Sequence, residues 1–271
     1  MKYLASIALP VMLLCDVVSA QVFEKIHFFP ETTYVSPFAA DAHAHRMEVE
    51  NILLTKNVHA SIGGAFPILN VFLVDRNVQA SCGGSVHFEL RPMGQAQIVS
   101  NDYYVDYLIL DVPWSDELFV RLVSGHTSHH LSDNWYERLH LASAIRYSRD
   151  YLKLFCVYEK NIHQQFYLGA DYAYIFTVGG QRINRPWTLQ IGGKQQIAKW
   201  MESLLLYASV DIKIRQEAEF AATNTMQIGI AFPMQPGRVL RLALQYRKGL
   251  DERGQFFPQH RELSTIGFSI E

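Results

Sequence analysis

Charged side chains are few in this chain of 271 residues: they make up 18% of it and nearly cancel, leaving a formal net charge of −2. A chain without a basic excess has no long-range attraction for a phosphate backbone, so nucleic acid is not an expected partner. Cysteine is scarcer still, at Cys15, Cys82 and Cys156. Cys15 falls within a leader segment, and the other two fall mid-strand, where a disulfide and two free thiols both stay open. Beyond residue 20 no run of eighteen apolar residues exists, which excludes a membrane-spanning helix in that part of the chain. Three glycine pairs, Gly83-Gly84, Gly179-Gly180 and Gly192-Gly193, lack the lysine and helix start of a phosphate-binding loop, and they read as bends or close packing in barrel strands. No cofactor is expected.

What the chain does contain starts with a leader. Lys2, an apolar stretch from Tyr3 to Leu14, and Val18-Ser19-Ala20 follow the charged, greasy and small-residue order of a secretory signal, which predicts a signal peptide over residues 1–20. Residues 21–57, rich in proline, aromatics and Ala-His pairs, show no sustained period and read as a non-barrel arm or plug. His43 and His45 in the DAHAH run have no third matched ligand, so they read as solvated loop histidines rather than a metal pair.

From Val58 the pattern becomes strands. Val78, Ala80, Cys82, Gly84, Val86, Phe88 and Leu90 form one apolar face, opposed by Gln79, Ser81, Gly83, Ser85, His87 and Glu89. The alternation recurs from Phe166 to Phe176, Leu204 to Arg215, Met226 to Phe232, Leu240 to Arg247 and Ile266 to Ile270. Long strands with one continuous apolar face and one polar face are the requirement of a transmembrane β-barrel, with lipid outside and a polar lumen. Short connections at Asp75-Arg76-Asn77, Pro113 to Asp116, Glu159 to His163 and Pro233 to Gly237 alternate with longer ones from Arg91, Ser128, Thr177 and Lys248. Lys194 to Ser203 breaks that order and accommodates a helical turn through Ile197, Trp200 and Met201. Splitting Val58 to Asp75 at Pro67 gives an all-β, antiparallel barrel of about twelve strands over residues 58–271, with ten the smaller alternative. Asp211, Lys213, Arg215, Arg241 and Arg247 then line the lumen, and Trp187, Phe66, Phe166, Phe176, Phe232 and Tyr246 suit an interfacial girdle.

One stretch carries candidate chemistry, ELFVRLVSGHTSHHLSDN from Glu117 to Asn134. A period of two places His126 and Ser128 side by side on its apolar face, which in a barrel is the lipid face near the extracellular rim. An imidazole beside a hydroxyl is the minimum equipment for nucleophilic acyl transfer, with Ser128 as nucleophile and His126 as base, provided a third group orients the ring. Asp150 shares the apolar face of the next strand and is the first candidate; Asp133 in the loop is the second. A metal site from His126, His129, His130 and His140 with Asp133 would require adjacent histidines to converge from opposite faces of a strand, so none is expected.

The His126-x-Ser128 pair resembles that of outer-membrane phospholipase A and the outer-membrane lipid A deacylases, which implies a lipid-facing site near the outer leaflet. A longer likeness runs from Asn101-Asp102-Tyr103 through HTSHHLSD to Tyr147-Ser148-Arg149-Asp150 and includes Phe29-Pro30 and Pro37 to Asp41. It resembles the bacterial family known as domain of unknown function 1207, whose members carry an HxSSHLGDE-like stretch. This chain keeps His126, Ser128, His130, Leu131 and Asp133, and has His129, Ser132 and Asn134 where the pattern has Ser, Gly and an acid. That resemblance implies an exported barrel in the outer membrane of a Gram-negative bacterium and leaves the chemistry open. The expectation is an outer-membrane protein meeting membrane lipid or lipopolysaccharide: either a lipid ester hydrolase, or a non-enzymatic barrel acting as a passive pore or structural component.

Overall fold

A computed structural model describes residues 26–271 except 74, 94, 134, 136–145, 161–162, 202, 235–236 and 257. The expected signal peptide, Cys15 and His140 lie outside the described residues. In chain order the strands are β1 (Ile26–Phe28), β2 (Met47–Ile52), β3 (Val58–Leu73), β4 (Arg76–Met93), β5 (Gln95–Pro113), β6 (Leu118–Leu131) and β7 (Tyr147–Lys160). They continue as β8 (Gln164–Val178), β9 (Gln181–Arg182), β10 (Trp187–Met201), β11 (Leu204–Arg215), β12 (Ala221–Pro233), β13 (Val239–Leu250) and β14 (His260–Ile270). Twelve of them pair antiparallel around a closed ring in which β2 joins β14 to β3; β1, on β3, and β9, on β8, stand outside it. Each strand of the ring thus has a neighbour on both sides, as crossing hydrocarbon with strands requires, although on one side of β3 the pairing covers only Val58–Ser61 and Leu69–Val71.

The alternation read from the sequence is the wall of this barrel. Along β4 the odd positions Gln79, Ser81, Ser85 and Glu89 are buried in the lumen, while Ile62 and Phe66 on β3 and Leu168 on β8 are exposed outward. Cys82 and Cys156 are free thiols, the first half-buried and the second exposed.

The ring of twelve arises differently from the expected division. β3 is not split at Pro67; it passes through with a register shift against β4 between Pro67 and Leu69, where a residue lacking an N–H is tolerated. The twelfth strand is β2, taken from the stretch assigned to the arm. Its Met47 and Val49 are exposed while Glu48 and Glu50 turn inward, and two carboxylates in six residues obscure a strand signal. Lys194 to Met201 remains a strand, paired to β11 across two register shifts, so no helical turn forms there. The connection expected to be long after Arg91 is tight, because β4 runs to Met93 and β5 begins at Gln95. Phe176 leaves the girdle: a register shift between the pairs Asp150↔Ile175 and Tyr151↔Ala173 reverses the parity of β8 and turns the ring inward against Tyr147, centroids 5.2 Å apart.

The lumen is filled by residues 29–46. Val35 and Phe38 pack on Phe119, Phe155, Val157 and Tyr167, with the Phe38 and Tyr167 rings stacked at 3.6 Å. Ala39 packs on Leu205, Tyr207, Ala231 and Val239. His43 and His45 are therefore not solvated loop residues: both are lodged inside the barrel. Asp211, Lys213, Arg215, Arg241 and Arg247 all face inward and are buried. Lys213 donates to Asp41 of the arm at 2.7 Å, and Arg241 holds Glu271 through two bonds of 3.1 and 2.8 Å. Cavities of about 70–80 Å³ remain beside the arm, room for waters rather than a channel.

Candidate active site on the outer wall

β6 lies between β5 and β7, and its register sets the site. His126 is directly opposite Asp150 on β7 and Val105 on β5; Ser128 is opposite Ser148 and Tyr103. In β6 and β7 the odd positions, among them Thr127, His129, Arg149 and Tyr151, are buried in the lumen, so His126, Ser128 and Asp150 emerge on the outer face. Leu152 and Leu154 follow Asp150 on that face, both exposed, which makes the carboxylate an isolated charge at the end of an apolar stripe.

Asp150 is not left alone. Its Oδ1 accepts the Nδ1 hydrogen of His126 at 2.5 Å, and the two side chains are 25% and 31% exposed. This bond commits Nδ1 as a donor and leaves Nε2 as the basic nitrogen, the tautomer a general base requires. Asp133, the other acid considered, lies exposed past the end of β6, and its carboxylate takes no part in this bond.

Ser128 Oγ is hydrogen-bonded to His130 Nε2 at 3.3 Å, not to His126. His130, considered from the sequence only as a metal ligand, sits beside Ser128 because the period of two that aligns His126 with Ser128 carries one step further to it. The edge of the Tyr103 ring meets the His130 ring at 5.7 Å, and the Tyr103 hydroxyl accepts a bond from Asn101 at 2.7 Å. The outcome is a polar strip across three consecutive strands on an otherwise apolar wall. Residues two apart on a strand are separated by roughly 6.6 Å of backbone rise, so transfer of the Ser128 proton to His126 Nε2 requires side-chain rotation of both groups toward each other.

His129 points the opposite way. Its Nδ1 accepts the Gly254 amide at 2.9 Å and its Nε2 meets Thr127 Oγ1 at 2.9 Å, inside the lumen. Among the described residues no three His, Cys, Asp or Glu side chains converge as a metal site.

Comparison with known proteins places the fold. A family model described as "Protein of unknown function (DUF1207)" matches residues 15–271. No curated protein matches the chain. Among solved structures, outer membrane phospholipase A from Escherichia coli aligns with a TM-score of 0.52 at 12% identity, covering 84% of this chain and 92% of that one. The Salmonella typhi outer membrane phospholipase, a dimer with bound calcium, aligns at 0.52 and 14% identity over 84% and 90%. At such identities the likeness is one of fold: the chain is an outer-membrane-type β-barrel.

Proposed function

The chain belongs to the DUF1207 family of proteins of unknown function, and on the geometry of its outer wall we propose that it is an outer-membrane hydrolase of lipid esters. The observation that carries this reading is the 2.5 Å bond between His126 and Asp150 on the lipid-facing side of β6 and β7, with the Ser128 hydroxyl on the same face. Ser128 Oγ attacks the ester carbonyl while His126 Nε2 takes its proton and returns it to the leaving alcohol; water, deprotonated by the same nitrogen, then attacks the acyl-serine, the fatty acid leaves and Ser128 regains its proton, with Asp150 holding the ring and stabilising the imidazolium throughout. With the signal peptide over residues 1–20 exporting the chain, and Met47 and Ile270 paired at the periplasmic rim, the dyad faces the outer leaflet. Phospholipid or lipopolysaccharide is then the substrate class. The two phospholipases with this fold lend support, since their names assign that chemistry to a barrel of the same build.

The test is fatty-acid release from phospholipid and from lipopolysaccharide by the purified barrel in detergent. Release is expected from the native protein and is expected to vanish in Ser128→Ala; release unaltered by that change would remove the assignment. The non-enzymatic alternative is less favoured as a permanently open pore, because residues 29–46 occupy the lumen.

A further inference from the structure

The arm enters and leaves the lumen by one rim. β1 pairs with Leu69 to Val71 beside the β3–β4 turn, Phe29 N–H bonds Ile68, and Met47 pairs with Ile270 at the same end of the barrel. Between these fixed points the chain rises into the lumen and returns, so it can withdraw as a loop without unthreading.

Its polar anchors sit at the top of that loop. His45 occupies a socket made for it: Nε2 meets Asp106 Oδ2 at 2.9 Å and Nδ1 meets Ser85 Oγ at 2.9 Å. A Cβ on Gly83 would stand 2.5 Å from the His45 ring, and one on Gly125 would stand 2.6 Å from the Asp106 carboxylate. His43 has a more restrictive seat. Lys213 Nζ lies 3.2 Å from its Nδ1, Glu252 Oε2 lies 3.1 Å from its Nε2, and the Tyr104 ring stacks on it at 4.5 Å. An ammonium can only donate, so Nδ1 must carry a lone pair and Nε2 the hydrogen. The neutral imidazole accepts from Lys213 and leaves Nε2 beside Glu252 without a formed hydrogen bond, whereas the cation would set an N–H against the Lys213 ammonium.

We propose that the barrel is also a proton-opened conduit for small ions, with residues 29–46 as a retractable plug and His43 as its latch. This does not depend on the hydrolase reading. The groups facing His43 are Asp41 on the arm, His87 on β4, Tyr104 on β5, His129 on β6, Lys213 on β11, Arg247 on β13 and Glu252 in the β13–β14 connection. Asp41 and Glu252 favour a cation, yet both also serve Lys213, at 2.7 and 3.9 Å. Burial, then Lys213, His87, His129 and Arg247, hold the seated His43 well below its ordinary value of 6.5. A histidine that binds its proton more weakly when seated than when free keeps the plug in place above that value, and its contribution is lost as the pH falls through and below it. With the loop withdrawn, the wall exposes Lys213, Arg241 and Asp211, a polar lining.

The purified full chain in planar bilayers tests this, with potassium chloride on both sides. Opening is expected to be more frequent near pH 5 than near pH 7.5, by up to about 30-fold, the limit set by proton uptake of a released imidazole of ordinary affinity at pH 5. His43→Gln keeps an acceptor and a donor without titrating, and it is expected to stay closed at both values. Equal opening of the native barrel at the two values, silence at both, or acid opening of His43→Gln equal to native would each overturn the proposal. Hydrogen exchange on the native chain reads the same event independently of any variant: amides over residues 36–46 are expected to lose protection in acid while barrel strands keep theirs. Retained protection of that segment would equally refute it.

Discussion

Replacing Asp150 by Asn tests the outer-wall site at its most specific contact. The side chain keeps its size and can still reach His126, but it loses its charge and can now donate to Nδ1, which would move the ring hydrogen to Nε2 and abolish the base. A charge-assisted bond is worth about 1.5–3 kcal/mol, and about 1.4 kcal/mol is tenfold in rate, so charge loss alone predicts a fall of about 10- to 150-fold. The wrong tautomer deepens that loss toward about 10⁴-fold. Because the pair is a quarter to a third exposed, partial screening favours the lower part of the range, and about 100-fold in kcat with little change in KM is the expected result. The assay is fatty-acid release from mixed detergent–phospholipid micelles, with heat-modifiable migration of the barrel on gels as the fold control and Asp133→Asn as the silent comparison. An Asp150→Asn enzyme within about threefold of native, on a native protein that is itself active, would refute the orienting role.

Two further outcomes concern the lumen. Phe38→Ala removes the ring stacked on Tyr167 and is expected to weaken the seating of the arm by about 3–5 kcal/mol, read as loss of hydrogen-exchange protection over the segment. Arg241→Met strands the buried Glu271 carboxylate, which Arg46 reaches only at 3.9 Å, and is expected to cost about 3–5 kcal/mol in a denaturant titration of the folded barrel.

Much of the wall was legible because lipid and lumen impose opposite demands on alternate residues, and that contrast survives in the sequence as a period of two. It fails where a bulge changes parity: nothing in the residues around Tyr174 marks the shift that sends Phe176 inward. It fails again at Met47–Ile52, where inward glutamates in a short strand resemble a polar loop. The pairing of His126 with Asp150 could be anticipated because both lie on adjacent strands of one hairpin, a local relation. The His45 socket could not, since Ser85, Asp106 and the DAHAH run meet only after the chain has closed into a barrel, and solvation was the natural reading of two isolated histidines.

The short seam at β2 bears on how the molecule assembles. Six residues join β14 and four of them reach β3, whereas neighbouring ladders elsewhere run for nine pairs or more. Closing it brings residues near the start of the chain against those at its end, the largest loop entropy in the fold for the least ladder. The seam is therefore the shortest ladder of the ring, and the segment just upstream of it has a fixed entrance to the lumen only when the cylinder is complete.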